Sequence, residues 1–128
     1  MHRIYVRIDG KDFDPDQFQD EYGKQLGGSV GVTKRVSADG TLELARTNWK
    51  SEILQSRSGE PEDELIKLLL KLKPILTAMR NTQNIRVIAQ IVQDVFGHDV
   101  ARGLFLPREA IQLLAEVGAS FDYDITGA

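Results

Sequence analysis

The chain opens with an alternation of polar and apolar positions that predicts a β-strand over residues 3–9. Ile4, Val6 and Ile8 occupy every second position, and successive side chains of a strand point to opposite faces of a sheet. We therefore expect these three side chains to face a hydrophobic core and their neighbours to face away from it.

A second alternating region predicts a hairpin. Valines share one parity over residues 30–36, the turn sequence SADG follows, and a longer strand is expected over residues 41–53. Leu42 and Leu44 differ in parity from Trp49, so a bulge or bend is expected if all three are buried. Trp49 itself is expected to belong to the core, with an interface anchor as the alternative.

Helical spacing of apolar residues marks two later segments. The first begins at Pro61 and carries leucines at helical spacing, and Pro74 is expected to kink or divide it, because its ring clashes with the carbonyl four residues earlier. The second begins at Pro107 and stops at Gly118. It is expected to bury three apolar residues, Ile111, Leu114 and Val117.

Two further strands, over residues 85–92 and 119–126, complete the predicted order. The segment 94–106 between them is either a loop or a hairpin that reaches a short strand at 104–106. The order β-α-β-β-α-β-α-β predicts an α+β fold, a ferredoxin-like split βαβ sandwich with an appended helix and strand. We expect a single domain over residues 1–128.

The acidic stretch DFDPDQFQDE near the start either binds calcium or begins a helix. In an EF-hand loop that starts at its first aspartate, the sixth position requires glycine and the twelfth glutamate, but these positions hold Gln17 and Gly23. As a helix start, Asp14 is the N-cap and Pro15 the first helical residue. We therefore predict a helix that begins here and ends at the glycine pair 27–28.

Composition narrows the class of protein. The chain has 128 residues, of which 41% are hydrophobic and 27% charged, as is typical of one globular domain. The absence of cysteine excludes disulfides and thiolate chemistry and suits a cytoplasmic location. No signal peptide or membrane-spanning run is visible. The net charge of -3 argues against a general nucleic-acid binder.

Histidines and serines provide no recognisable active site. His2 and His98 are the only histidines, and neither has a second histidine one helical turn away. His98 and Asp99 could hold a weakly bound ion together with Asp94, but a solvated loop is the favoured interpretation. No serine lies in a nucleophile-elbow pattern. We therefore expect no catalytic residues, no metal ligands and no cofactor, and a protein that is not an enzyme.

One constellation of polar side chains remains as a candidate site. Strand alternation places seven side chains on the face of the sheet opposite Ile4, Val6 and Ile8, namely Arg3, Tyr5, Arg7, Arg86, Gln90, Asp122 and Asp124. Arginine and tyrosine are frequent anchors of protein interfaces, so this face is a candidate protein-binding surface. The alternative is a solvated face whose cross-strand ion pairs contribute little.

Four segments carry a family resemblance. They are IYVRIDGKDFDPDQF near the start, TNWKSE in the middle, LKLKP in the leucine-rich helix and LPREAIQLLAEVGASFDYDI at the end. They resemble a bacterial family known only as a domain of unknown function, number forty-two seventy-nine. Such families look like companions of toxin systems in some settings, which implies an immunity role as one option. The resemblance brings no catalytic residues.

These features together lead to an expected function. We expect a bacterial, cytoplasmic protein-interaction module, most concretely an immunity protein that blocks a toxin-like partner by occlusion. The alternative is a small-molecule-sensing domain that uses a cleft between the helices and the sheet. A hydrolase is a third option, disfavoured by the scarcity of histidine and cysteine. We expect neither nucleic acid nor a membrane as a partner.

Overall fold

The computed structural model describes residues 1–56, 60–80, 82, 84–97, 101 and 103–127. Within these ranges the protein has a mixed α+β fold with one sheet of six strands and three α-helices. The strands are β1 (His2–Asp9), β2 (Ser29–Val36), β3 (Leu42–Lys50), β4 (Leu54–Ser56), β5 (Arg86–Asp94) and β6 (Ala119–Thr126). The helices are α1 (Pro15–Phe18), which continues as a π-helix (Gln19–Gly23), α2 (Pro61–Met79) and α3 (Arg108–Val117).

The sheet has the strand order β2-β3-β1-β5-β6, and β4 also pairs with β1. All pairs are antiparallel except β5 and β6, which are parallel. The strand predicted over residues 41–53 ends at Lys50, and a separate short strand, β4, follows it on the same edge of β1. Ser51 lies at the break between them, where its Oγ accepts from the backbone N–H of Val6 at 2.9 Å and its own N–H donates to the carbonyl of Val6 at 2.8 Å.

The hairpin of β2 and β3 contains the expected bulge. Gly31 pairs with Asn48 and Val32 pairs with Arg46, so Thr47 is the extra residue in β3. The burial that motivated the expectation is only partly present. Trp49 is fully buried, whereas both leucines of β3, Leu42 and Leu44, are exposed. The reason is that α2 packs on β1, β4 and β5 and α3 packs on β6, to the side of this end of the hairpin.

The core lies between α2 and one face of the sheet, which we call the inner face. Ile4, Val6 and Ile8 are fully buried there, as the alternation predicts, against a set of buried leucines from α2, namely Leu65, Leu68, Leu69, Leu72 and Leu76. Complete burial of such a side chain contributes roughly 1.5–3 kcal/mol. This strip of contacts fixes the inner face and leaves the other face of β1 and β5 free of α2.

Pro74 was predicted to kink or divide the second helix, and it does not divide it. α2 is a single helix of 19 residues that contains Pro74. Pro74 removes the N–H donor for the carbonyl of Leu70, and both residues are exposed. Water can therefore hydrogen-bond to that carbonyl, which lowers the cost of the missing backbone bond.

The acidic stretch begins a helix, as predicted. The Asp14 side chain accepts from the backbone N–H of Gln17 at 3.1 Å and Pro15 is the first helical residue. The helix does not continue regularly to the glycine pair 27–28. It widens into the π-helix after Phe18 and ends at Gly23. Glycine fits at this position because a Cβ atom there would lie only 2.6 Å from the indole nitrogen of Trp49. The wide turn thus brings bare backbone against the tryptophan.

The third helix has ends within one residue of those predicted, and two of its three predicted core residues, Leu114 and Val117, are buried. It is preceded by Pro107, and Gly118 at its C-cap has the left-handed φ of 69°. Ile111 is 55% exposed, which contradicts its predicted burial. The buried residues are spaced as i, i+3, i+4 and i+7, namely Ala110, Leu113, Leu114 and Val117. Ile111 lies outside this stripe.

Two remaining features of the described residues bear on the predictions. Residues 104–106 do not form the short strand that was one of the two alternatives. Instead, the backbone N–H of Phe105 donates to Oε1 of Glu62, at the start of α2, at 3.2 Å. In the part of the chain that the structure describes, no helix is long and apolar enough to cross a membrane.

Candidate docking face of the sheet

All seven predicted residues lie on the face of the sheet opposite α2, which we call the outer face. Because Ile4, Val6 and Ile8 point inward, their neighbours on β1 point outward. The register places Tyr5 opposite Gln90, and Gln90 beside Asp122. The outer face therefore collects the seven side chains from three adjacent strands, namely Arg3, Tyr5, Arg7, Arg86, Gln90, Asp122 and Asp124.

Arg3 forms a two-pronged ion pair with Asp94 at one end of the face. Its Nε donates to Oδ2 of Asp94 at 2.8 Å and its Nη2 donates to Oδ1 at 3.1 Å. The hydroxyl of Thr126 also donates to Oδ1, at 2.7 Å. The hydrogen bond from Arg3, followed by that from Thr126, lowers the pKa of Asp94. The pair thus ties β1, β5 and β6 together.

Arg86 forms a second two-pronged pair at the other end of the face. Its Nε and Nη2 donate to the two carboxylate oxygens of Asp9 at 2.9 and 3.1 Å, and this bond raises the pKa of Arg86. Arg7 lies beside the same carboxylate, with its Nε 3.6 Å from Oδ2 of Asp9. That Nε is buried and, among the described residues, has no hydrogen-bond partner. Asp9 is thus the shared anion of two arginines.

Gln90 is on the outer face and only 5% exposed, so a partner could barely touch it. Its amide nitrogen donates to Oδ2 of Asp124 at 2.5 Å and to Oδ2 of Asp122 at 3.2 Å. Both aspartates are exposed on β6. Gln90 therefore positions two carboxylates and is not itself a contact surface.

The floor of the outer face is apolar. Val92 lies opposite Arg3 and Ile88 lies opposite Arg7, and both of these apolar side chains are buried although they point away from α2. Long arginine side chains cover apolar surface with their methylene groups while the charged ends reach water. The outer face is thus a charged layer over a hydrophobic base.

Three contributing residues were not assigned to this face from the sequence: Asp9, Asp94 and Lys50. Asp9 has the parity of Arg7 on β1, and Asp94 has the parity of Gln90 on β5, so strand alternation could have found both. Lys50 comes from β3, where its Nζ lies 5.4 Å from the centre of the Tyr5 ring. That contact depends on the strand order, which the sequence pattern does not specify.

The other candidate groups are placed elsewhere or fall outside the description. His98 and Asp99 lie outside the described residues, as does the weak ion site proposed for them with Asp94. His2 is buried on β1. Trp49 is fully buried, so its interpretation as a core residue is confirmed and that as an interface anchor is wrong. In the described ranges, no group of three or more His, Cys, Asp or Glu side chains could hold a metal ion.

Comparison with known proteins identifies a family. A family model described as a domain of unknown function (DUF4279) matches residues 1–128, the whole length of this chain. No curated protein matches the sequence. The matched range includes the strands of the outer face and the helices that cover the inner face.

Proposed function

The chain belongs to the DUF4279 family, and we propose that it is a non-enzymatic interaction module that binds a protein partner through the outer face. One observation carries the proposal. The outer face is held in a fixed arrangement by side-chain bonds between strands, above all those of Arg3 with Asp94 and Arg86 with Asp9. Groups that are ordered before binding lose less conformational freedom when a partner arrives.

The distribution of charge on the outer face supports selective recognition. Lys50 on β3 and Arg7 on β1 are neighbours in the sheet, and they make this part of the outer face positive. Asp122 and Asp124 lie on β6, at the opposite edge of the sheet. Among the described residues, no basic side chain forms an ion pair with these two aspartates. Complementary charge on a partner sets its orientation and speeds its association.

We propose a toxin-like bacterial protein in the cytoplasm as the partner, blocked by occlusion. The motif resemblance to families that accompany toxin systems motivates this choice. A partner for this face would carry acidic groups opposite Lys50 and basic groups opposite Asp122 and Asp124. The net charge of -3 of this chain is compatible with a basic partner.

The test is capture of a partner from a lysate of the native host with tagged wild-type chain and two charge-reversal variants. One variant carries Asp122→Lys and Asp124→Lys on the outer face. The control carries a single charge reversal, Glu109→Lys, at an exposed position of α3, the helix that packs against α2. The proposal requires a protein that is captured by the wild type and the control and lost with the outer-face variant. Equal capture by all three would contradict the docking face.

The same experiment distinguishes immunity from other interactions. A captured toxin-like protein is co-expressed with the wild-type chain, with the Asp122→Lys, Asp124→Lys variant or with the Glu109→Lys control, and growth of the cells is measured. Rescue of growth by the wild type and the Glu109→Lys control alone supports occlusion through the outer face. Binding without any rescue would contradict the immunity role and leave the interaction module intact.

We further propose that β1, β2, β3 and β5, together with α1 and α2, form a ferredoxin-like split βαβ sandwich to which α3 and β6 are appended. The strand order β5-β1-β3-β2 supports this, because β3 lies between β1 and β2 and is antiparallel to both. Phe18 of α1 and the leucines of α2 join one core. An experimental structure with α1 and α2 on opposite faces of the sheet would contradict the assignment.

A further inference from the structure

A cavity of about 240 Å³ lies between the first helix, with its π-helical continuation, and the C-terminal end of α2. It is on the inner-face side of the sheet, since Phe18 of this helix packs against Trp49 of the core. Two kinds of group dominate its wall, three aromatic rings and three carboxylates, namely Phe13, Phe18, Tyr22, Asp12, Asp14 and Glu21. None of the residues that line the cavity is basic.

The aromatic rings form a concave wall. The centres of the Phe13 and Phe18 rings are 5.6 Å apart with an angle of 58° between the rings, and those of Phe18 and Tyr22 are 5.4 Å apart with an angle of 57°. Rings tilted in this way present π faces and edges in more than one direction. A cation within about 6 Å of such a ring centre is attracted by the negative π face.

The carboxylates of the cavity are bonded only to neutral donors in the hydrogen bonds that the described residues form. Asn84 donates to Asp12 at 2.7 Å, the backbone N–H of Gln17 donates to Asp14, and the side chain of Gln17 donates to Glu21 at 3.0 Å. These bonds position the carboxylates without neutralising them. Three negative charges around an aromatic wall favour a cation and disfavour an anion.

We propose that this cavity binds a small organic ammonium ion. Its apolar body would lie against the rings and its charged nitrogen near the carboxylates. The volume of about 240 Å³ is below the roughly 300–1,000 Å³ of pockets for drug-sized ligands, so a small ligand fits best. The cavity and the outer face are on opposite sides of the sheet, so this proposal does not depend on the proposed function.

The test is an NMR titration of the isotope-labelled chain with phenethylammonium chloride. We expect saturable shifts of backbone amide signals concentrated over residues 12–22 and at Met79. Phenylethanol, which has nearly the same shape and no charge, is expected to bind at least fivefold more weakly, as the loss of roughly 1 kcal/mol of charge attraction implies. Equal affinity for the two compounds, or shifts that do not saturate, would overturn the proposal.

Three single variants locate the site. Glu21→Gln should weaken phenethylammonium binding by roughly fivefold, and Tyr22→Leu should weaken it by roughly two- to fivefold through loss of the π face. The matched control is Asp20→Asn, which makes the same charge change at an exposed neighbour that does not line the cavity. Because Glu21 and Tyr22 are exposed, both variants should fold, which their thermal unfolding checks. Equal weakening by Asp20→Asn would show general charge attraction and overturn the site.

Discussion

The indole Nε1 of Trp49 donates a hydrogen bond of 2.8 Å to Oε1 of Gln19. The other end of the same amide, Nε2 of Gln19, donates to the carbonyl of Gly28 at 3.0 Å. One side chain of the π-helix therefore joins the hairpin at β3 to the start of β2 around a tryptophan that is fully buried. A buried indole N–H has no water to replace a lost acceptor.

We expect Gln19→Leu to lower the free energy of unfolding by about 1–3 kcal/mol, because it leaves the Trp49 N–H buried and unpaired. The measurement is urea unfolding followed by tryptophan fluorescence. The matched control is Gln17→Leu at an exposed position, whose side chain donates only to Glu21 in the same helix. Such a bond is worth about 0.5 kcal/mol or less. Equal losses for the two variants would show that the Trp49 bond contributes nothing.

A second prediction concerns the close approach of Gly28 to the same indole. A Cβ atom at Gly28 would lie 2.0 Å from Cζ2 of Trp49 and 2.7 Å from the carbonyl oxygen of Lys50. Gly28→Ala must therefore displace the ring or the strand, and we expect a loss of about 1–3 kcal/mol or more. Gly103→Ala is the control, since nothing lies within 4 Å of its Cβ position. An unchanged near-ultraviolet spectrum and stability for Gly28→Ala would contradict this packing.

The outer face was predictable because strand alternation has a period of two residues. Once Ile4, Val6 and Ile8 were assigned to the core, the orientation of Arg3, Tyr5 and Arg7 followed. The ion pairs on that face were not predictable. Arg3 and Asp94 are 91 residues apart in the chain, and only the order of β1, β5 and β6 in the sheet brings them into contact.

The sequence pattern also could not predict which apolar residues near the ends of strands and helices are buried. Leu42 and Leu44 occupy alternate positions, as apolar residues on one face of a strand do. Both are nevertheless exposed, because no long helix packs over their end of the hairpin in the described part of the chain. The cavity beside α1 is a similar case, because its wall combines a loop, a π-helix and the distant end of α2. A periodic pattern describes one element at a time and contains no information on which elements meet.

The buried face of α3 gives a prediction that separates neighbouring residues. Leu113→Ala should lower the free energy of unfolding by about 2–5 kcal/mol, because this side chain is only 5% exposed. Ile111→Ala should change it by less than about 1 kcal/mol, since Ile111 is exposed and alanine favours a helix. Urea unfolding of both variants checks the order. A larger loss of stability for Ile111→Ala than for Leu113→Ala would show that Ile111 is buried, as the sequence predicts.

The acidic stretch should behave as a helix start. Asp14→Ala should cost about 1 kcal/mol through loss of the cap to the Gln17 N–H. Asp20→Ala is the control, because Asp20 is exposed beyond the first turn. Calcium should not raise the melting temperature, since Gln17 and Gly23 occupy the positions where a calcium loop needs glycine and glutamate. A calcium-dependent rise would contradict the structural role and revive the metal site.

The last prediction is the pH dependence produced by Asp94. The hydrogen bonds from Arg3 and Thr126 lower its pKa in the folded state, whereas the unfolded value is about 3.9. The pair therefore stabilises the fold fully above the unfolded pKa, and this contribution is lost as the pH falls through the folded pKa. Arg3 itself remains protonated throughout, because its pKa is raised further by the pair.

Urea unfolding of the wild type and Asp94→Asn, at pH 7 and at a series of values below about 4, measures this contribution. We expect the wild type to be more stable at pH 7 and the difference between the two proteins to narrow in acid. Asp39, whose pKa Ser37 and Thr41 lower to about 2, is present in both proteins and cancels in the comparison. Asparagine cannot titrate, so the loss of the Asp94 charge in acid should affect only the wild type. A difference in stability that stays constant with pH would show that the charge of Asp94 contributes nothing to the free energy of unfolding.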